Sequence, residues 1–417
     1  MLTVLPVNRA QEVIIQSMAV QPKRAEIVSL DHAPGRVTAG DIFATEELPS
    51  FSRSTMDGFA VRGADTFGAS EGLPALLRVK GNILMGKEPP GALAPGEAMS
   101  IPTGGMLPRG SDSVVMVEHC EQMGDSVAVL RSVAPLENTI QAGDDYKKGD
   151  LVLPTGHLIR PQDAGVMSAL GLVKIKVAAR PRVVIYSTGD EVIPPEELPQ
   201  AGQVRDVNGF LLGAQVRENG GDAVYGGIIA DREEVLRDAL LQALGEADLV
   251  LVSGGSSVGT RDVAIEAINA LPGEGVLFHG VAMRPGKPLL YGMSKGKPVF
   301  GLSGNPVSAM FGYILFVRPV LRMLCGLPPF SFGVPTIEAV LETNIASSGG
   351  REDYIRVSLS LPNDATQTNG DDNTVYARPV FGGPGLLQTV VQGDGYFVVP
   401  RDVEGLADGT IVKVHLF

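Results

Sequence analysis

The sequence predicts a multidomain α/β protein: a central parallel-sheet α/β domain, an inserted small β domain, an N-terminal linking α/β region and a C-terminal β-barrel domain. Three observations carry this. Between residues 181 and 325, β-branched and leucine runs alternate with stretches of helical spacing, the pattern of βαβ units on a parallel sheet. From Pro49 onward, short apolar segments are separated by Gly, Pro and Asp clusters, the pattern of a small all-β module. After Pro328-Pro329 the short strands return, as in a terminal barrel or sandwich. A length of 417 residues also exceeds one ordinary domain.

The elements follow in order. Residues 8–20 have helical spacing through Ala10, Val13, Ile14 and Met18, with Asn8 as N-cap. Residues 1–48 combine with 140–178, which carry the turn from Gly143 to Asp150, the run Leu151-Val-Leu-Pro and a helix from Pro161 to Leu170, as a discontinuous linking domain. Residues 49–139 form the inserted β domain, with strands expected at 75–79, 98–101, 113–117 and 126–130. Residues 179–327 form the α/β domain, with strands expected at 182–186, 223–229, 249–252, 275–278 and 299–302 and helices at 209–219, 233–244, 263–270 and 307–324. Residues 328–417 complete the chain, with strands at 337–341, 354–359 and 410–415.

Composition narrows the function. With 34 basic and 47 acidic residues the net charge is -13, and no Lys/Arg run supplies the basic face that nucleic acid or an anionic membrane requires. Cys120 and Cys325 stand far apart, so neither a disulfide framework nor a structural zinc site is indicated. The first residues lack a basic segment followed by an apolar core, and the apolar run from Phe311 to Val317 is stopped by Arg318-Pro319. The expectation is a soluble cytoplasmic protein with no membrane or nucleic-acid partner.

Ligands of open α/β sheets bind beyond the carboxyl ends of the strands. Three polar, glycine-bearing loops stand there: Ser187-Thr188-Gly189-Asp190-Glu191, Ser253-Gly254-Gly255-Ser256-Ser257-Val258-Gly259, and Ser303-Gly304-Asn305-Pro306. The middle loop offers backbone N–H groups and hydroxyls ahead of a helix starting near Asp262, the arrangement of an anion cradle. Asp190, Glu191, Asp231 and Asp262 can reach the same cleft, and acids beside a phosphate cradle suit a divalent cation such as Mg2+. Asp231 and Asp262 could equally cap helices. Arg284-Pro285-Gly286-Lys287, with Lys295 and Lys297 nearby, is a cationic segment in an acidic protein, where an oxyanion would arrive.

Two motif matches mislead. Gly81 to Lys87 has P-loop spacing, but Glu88 replaces the magnesium-binding hydroxyl and Pro89-Pro90 forbid the following helix. Gly255-Ser-Ser-Val-Gly259, followed by Asp262 and His279, spells a hydrolase elbow around Ser257. The extra Thr260-Arg261 lengthens that loop beyond a sharp strand-to-helix turn.

With these residues in place the chain closely resembles the molybdopterin molybdenumtransferases, the family that includes bacterial MoeA and the C-terminal domain of gephyrin. Motifs in family order are Ser54 to Val61, Pro102 to Gly105, Asp112 to Glu118, Ser187 to Glu191, Ser253 to Gly259, Arg284 to Pro288 and Gly304 to Ser308. The resemblance implies a molybdopterin-binding, MogA-like central domain. It also implies insertion of molybdate into adenylylated molybdopterin, with adenylate hydrolysis to AMP, in the presence of a divalent cation. Glu191, Asp231 and Asp262 match the family's acidic site positions, as metal ligands or water-orienting groups. Asp57 and Thr103 match the pair that one subunit offers to its partner, so a homodimer with a shared site is implied. The loop from Ser253 to Gly259 would hold the pterin or its phosphate, and Arg284, Lys287 and Ser308 would face molybdate or phosphate. The resemblance leaves room for contacts with proteins that adenylylate molybdopterin or accept the finished cofactor.

The chain departs from the family pattern where Gly280 stands for a basic residue, Ser303 for a proline and Gln141-Ala142 for basic residues, and where Phe381 to Leu387 lacks serines. These departures point to a rebuilt molybdate subsite, or to a catalytically impaired pterin-binding or scaffolding paralogue. Arg351 and Arg356 could compensate, although arginines on a strand are more often surface charges.

Overall fold

Short strands between Ile27 and Val177 pair into a six-stranded sheet in the order Ser113–Met116, Gly58–Val61, Glu97–Ile101, Ala75–Asn82, Ser126–Val129, Cys120–Met123. The structure is a computed structural model that describes residues 4–18, 24–254, 260–330, 335–361, 374–383 and 385–417, without the side chains of 260–262. Both faces of the sheet are covered around Gly58–Val61 and Glu97–Ile101. Phe59, Val61, Leu77, Val115 and Val127 pack on one side, and Ala60, Ile83, Met99, Ile101 and Val114 on the other. In Gly58–Val61 and Ser126–Val129 successive residues therefore both read as apolar, whereas Ala75–Asn82 alternates, with Arg78 and Lys80 exposed. The segment from Gly81 to Lys87 leaves the strand Ala75–Asn82 into turns, with no helix after Pro89-Pro90.

The same unit contains a second core of Ala33, Leu153, Ile159, Met167, Ile175 and Val177 beside helix Pro161–Ala169. Pro161 starts that helix, and Asp163 closes its first turn. The buried Asp163 carboxylate accepts from the Arg160 backbone N–H at 2.8 Å, the Arg160 guanidinium at 3.0 and 3.1 Å and His157 Nε2 at 2.7 Å. The Arg160 hydrogen bonds, with those from His157 and the backbone, hold this carboxyl far below the usual aspartate range. Asp163→Ala is expected to destabilise the unit by about 1–3 kcal/mol, as a lost cap plus abandoned donors. A depressed folded pKa stabilises above the unfolded value of 3.8 and is lost as pH falls below it. The wild-type advantage in urea melts should therefore shrink in acid.

The second unit comprises Met1–Glu26 and Ala178–Phe417. Its central sheet runs Asp222–Ile229, Arg182–Thr188, Leu249–Ser253, Lys297–Leu302, Leu290–Ser294, Gly275–His279. The first four strands are parallel. Leu290–Ser294, not foreseen from the sequence, runs antiparallel to both its neighbours. Helix Glu233–Glu246 turns Leu236, Leu240 and Ala243 inward at helical spacing, with Glu233 and Glu234 at its positive end. Because Arg182–Thr188 lies between Asp222–Ile229 and Leu249–Ser253, the chain leaves it first to one side and then to the other. The crevice of such sheets opens at that switch point.

Three local expectations are corrected. The first helix spans Val7–Ser17, so Asn8 is inside it and its side chain accepts from the Arg9 N–H. Helix Thr260–Asn269 begins before Asp262, which therefore stands in its first turn and not at the position ahead of it. The expected helix at 307–324 is interrupted by a π-turn, Tyr313–Val317, between Pro306–Gly312 and Arg318–Cys325. Gln11 Nε2 donates to the Leu315 carbonyl in that turn at 3.1 Å. Pro306–Cys325 is the one helix among the described residues long and apolar enough to cross a membrane, and most of it is packed inside the fold.

The last strands close a five-membered barrel: Glu352–Ser360, Tyr376–Pro379, Thr336–Leu341, Ile411–Leu416, Gly395–Val399 and back to Glu352–Ser360. Leu341, Val357, Phe397, Val399 and Val414 fill it. Met283–Arg284 adds a short parallel strand to Glu352–Asp353.

Candidate functional site

The loop-bearing strand ends lie side by side. Ser187 pairs with Ser253, and Ser253 with Leu302, next to Ser303. Gly254, at φ +136°, crosses so close to the first strand that a Cβ would overlap the Thr188 carbonyl oxygen. Gly189, at φ +142°, leaves room for the Glu191 carboxylate, 2.8 Å from where a Cβ would stand. Ser187, Thr188, Ser253, Ser303 and Ser308 are buried, so their hydroxyls serve the loop architecture as well as any ligand. Gly255, Ser256, Ser257, Val258 and Gly259, which include the elbow serine, lie outside the described residues, as does the Asp262 side chain.

The acidic corner gathers around Asp231. Burial raises its pKa above the usual aspartate value. The Thr188 hydroxyl opposes this by hydrogen bonding, and the exposed Asp190 and Glu191 push the pKa further up. Among the described residues no three carboxylate, imidazole or thiol groups converge tightly enough to form a metal cage by themselves. The donor set at this corner is nevertheless all oxygen and mutually repulsive, which fits a hard divalent cation.

Beyond the third loop, a cavity of about 660 Å³ opens between the segment from Met283 to Pro288 and the barrel strand Glu352–Ser360. Arg284, Lys287, Arg351 and Arg356 line it with Ser303, Asn305 and Ser308, against one carboxylate, Asp353. Asp353 is buried. It accepts from Arg351 Nε at 3.1 Å and Ser347 Oγ at 3.0 Å, with Arg284 at 3.9 Å. Arg356 is different. It is 6% exposed, its Nε has no hydrogen-bond partner among the described residues, and Nη2 reaches only the Gly382 carbonyl at 3.4 Å. Burial lowers its pKa from the ordinary guanidinium value, yet an arginine stays charged in a protein. Of the two sequence readings, a compensating charge or a surface arginine, the surface one is corrected for Arg356: the barrel wall buries it, with no carboxylate paired to it among the described residues.

In the unit Ile27–Val177, Asp57 Oδ1 accepts from the Thr103 N–H at 2.7 Å and hydroxyl at 3.0 Å. These two hydrogen bonds hold its carboxyl below the usual range. The pair is exposed and preformed. Gln141 is used locally, accepting from Ser52 Oγ at 3.1 Å and donating to Thr139 Oγ1 at 2.8 Å.

The departures at Gly280 and Ser303 have local reasons. Gly280 has φ +97°, and its carbonyl accepts from the Leu5 N–H at 3.1 Å beside Val4, so a basic side chain there would be strained. The Ser303 hydroxyl accepts from the Asn305 N–H at 3.3 Å, tightening its loop without a proline. Two residues missed from sequence are Asp206 and Asn208, which join the loops: Asp206 accepts from Ser187 Oγ, and Asn208 donates to Ser253 Oγ and the Gly304 carbonyl. The only sequence signal was their place between two strands ahead of Gly209.

Residues 5–171 match the MoeA N-terminal region (domain I and II), 184–323 a probable molybdopterin binding domain, and 338–417 the MoeA C-terminal region (domain IV). Molybdopterin molybdenumtransferase 2 of Mycobacterium tuberculosis is 34% identical over 98% of both chains. Molybdopterin molybdenumtransferase of Staphylococcus aureus is 34% identical over 99% of this chain and 95% of its own. The crystal structure of the molybdopterin biosynthesis MoeA protein from Pyrococcus horikoshii superposes over 100% of both chains with TM-score 0.84 and 31% identity. By sequence over its whole length, and by fold, this chain belongs to the MoeA family of molybdopterin molybdenumtransferases.

Proposed function

We propose that this protein works in molybdenum cofactor biosynthesis as a cytoplasmic transferase. It inserts molybdate into adenylylated molybdopterin with hydrolysis of the adenylate, giving the cofactor and AMP. The carrying observation is Arg356, a buried guanidinium with no carboxylate paired to it among the described residues, in a cavity that also presents Arg284, Lys287 and Arg351. An uncompensated buried cation is costly unless an anion completes it, and a tetrahedral oxyanion offers the matching charge and acceptors. Molybdate is the oxyanion that the family relation supplies.

In this reading Arg356, Lys287 and Ser308 hold molybdate, and the loops at Ser187, Ser253 and Ser303 hold the pterin and its phosphate through backbone and hydroxyl donors. Asp231 and Glu191, with Asp262, would hold Mg2+, which when bound offsets negative charge on the phosphoanhydride. Asp231 also orients the attacking water and is placed by Thr188. A homodimer is part of the proposal, with Asp57 and Thr103 of one subunit serving the sheet domain of the other.

The test is AMP release by purified protein given adenylylated molybdopterin, molybdate and Mg2+. Molybdate-dependent AMP release is expected. Tight pterin binding without AMP release would instead identify a scaffolding paralogue.

A further inference from the structure

We propose that Asp206 and Asn208 are positioning residues that fix the three ligand loops against one another, so that substrate affinity depends on them although neither touches the substrate. The inference rests on the functional reading above. Both side chains are buried, 6% and 7% exposed. Asp206 Oδ1 accepts from Ser187 Oγ at 2.9 Å and the Gly209 N–H at 3.1 Å, and Oδ2 accepts from Tyr225 OH at 2.9 Å. Asn208 Nδ2 donates to Ser253 Oγ at 2.7 Å and the Gly304 carbonyl at 2.9 Å, with the Ser303 carbonyl at 3.4 Å. Asn208 Oδ1 has no donor among the described residues, so this side chain acts through Nδ2.

The two residues sit at the start of helix Asn208–Glu218, so one rigid element clamps loops from three strands. Gly209 permits this packing. A Cβ there would lie 2.6 Å from both Asp206 Oδ2 and the Tyr225 ring. Buried hydrogen bonds of this kind act as a unit, because a missing donor leaves carbonyls with neither protein nor water. Asn208→Asp keeps the shape but sets a carboxylate oxygen against the Gly304 and Ser303 carbonyls, so the third loop must move away from the second. A substrate that spans both loops feels that movement fully, whereas molybdate, held chiefly by Arg356 and Lys287, meets the third loop only at the cavity edge and feels it far less.

The experiment uses the full chain and compares Asn208→Asp, Asn208→Ala, Asp206→Asn and Asp206→Ala with wild type. In hydrogen exchange without ligand, the Gly254 and Asn305 amides should exchange about tenfold faster in both Asn208 variants. Adenylylated molybdopterin should bind about tenfold more weakly to them, while molybdate binds within about twofold of wild type. Asp206→Asn keeps an oxygen for Ser187 and Gly209 and lets Tyr225 accept, so it should retain substrate affinity, whereas Asp206→Ala abandons all three donors and should lose affinity about tenfold, as the Asn208 variants do. Wild-type exchange and substrate affinity in the Asn208 variants would overturn the inference. So would equal loss of both ligands together with a lower Tm, which marks a general folding defect. Failure of the functional reading shows separately, as wild-type protein that does not bind the pterin, and exchange then still decides whether Asn208 holds the loops.

Discussion

Replacing Arg356 by methionine should abolish molybdate binding and, in the same variant, raise thermal stability. A single buried charge left without a counter-ion costs several kcal/mol, and exchanging buried ionic groups for apolar side chains of similar size is often stabilising by about 1–4 kcal/mol. Arg356 fits that case, being 6% exposed with an Nε that has no partner among the described residues. Methionine follows a similar path through the barrel wall and leaves no donor unsatisfied. Molybdate should then raise the wild-type Tm and leave the methionine variant unmoved, so the order of the two proteins narrows or reverses at saturating oxyanion. AMP release should fall at least about 100-fold, as when a charge-stabilising donor is removed from an active site. Thermal melts with and without molybdate check both signs. A variant that melts below wild type in the absence of molybdate, or that still responds to it, contradicts the assignment.

Asp231→Asn should produce the other large effect. Its carboxyl has a raised pKa from burial and from Asp190 and Glu191, so the ionised form is disfavoured in the folded protein. For a group shifted in this direction, the stability contribution is fully present below the unfolded value of 3.8 and is lost as pH rises through the folded value. The asparagine variant should therefore melt higher than wild type at neutral pH without divalent cations, with the gap closing in acid. Mg2+ should stabilise wild type and leave the variant nearly unchanged. Turnover should drop by about 10²–10⁴-fold, the range for a positioned acid–base group. Calorimetry across pH, with and without Mg2+, separates this from simple loss of packing.

Much of this was legible because burial writes itself into the chain as apolar runs. Leu249–Ser253 has no polar residue before its terminal serine, and it is fully buried between two parallel neighbours. The loops at Ser187, Ser253 and Ser303 were readable because a sheet of this class can present its strand ends in only one place. Arg356 was not. On a strand it spells like any surface arginine, and only the fold brings its guanidinium to the Gly382 carbonyl, 26 residues away. Asp206 and Asn208 were hidden for a related reason. Polar residues ahead of a helix suit an ordinary start, and only the fold reveals that their partners lie 19, 45 and 96 residues away. Leu290–Ser294 was not legible as a strand, with Gly292 breaking its short apolar run, and its reversed direction is set by the tight Lys295-Gly296 hairpin turn into Lys297–Leu302.

The two-residue ladder between Met283–Arg284 and Glu352–Asp353 bears on ancestry and engineering. A version of this protein ending before the barrel would keep the loops at Ser187, Ser253 and Ser303 but would leave the Met283–Arg284 edge bare and the cationic chamber with a single wall. Gene fusion of the α/β domain to a barrel would thus create the cationic chamber at the seam, and neither parent would need to have possessed it. Recombination between homologues should cut elsewhere, since a crossover between residues 288 and 350 would pair mismatched halves of that chamber.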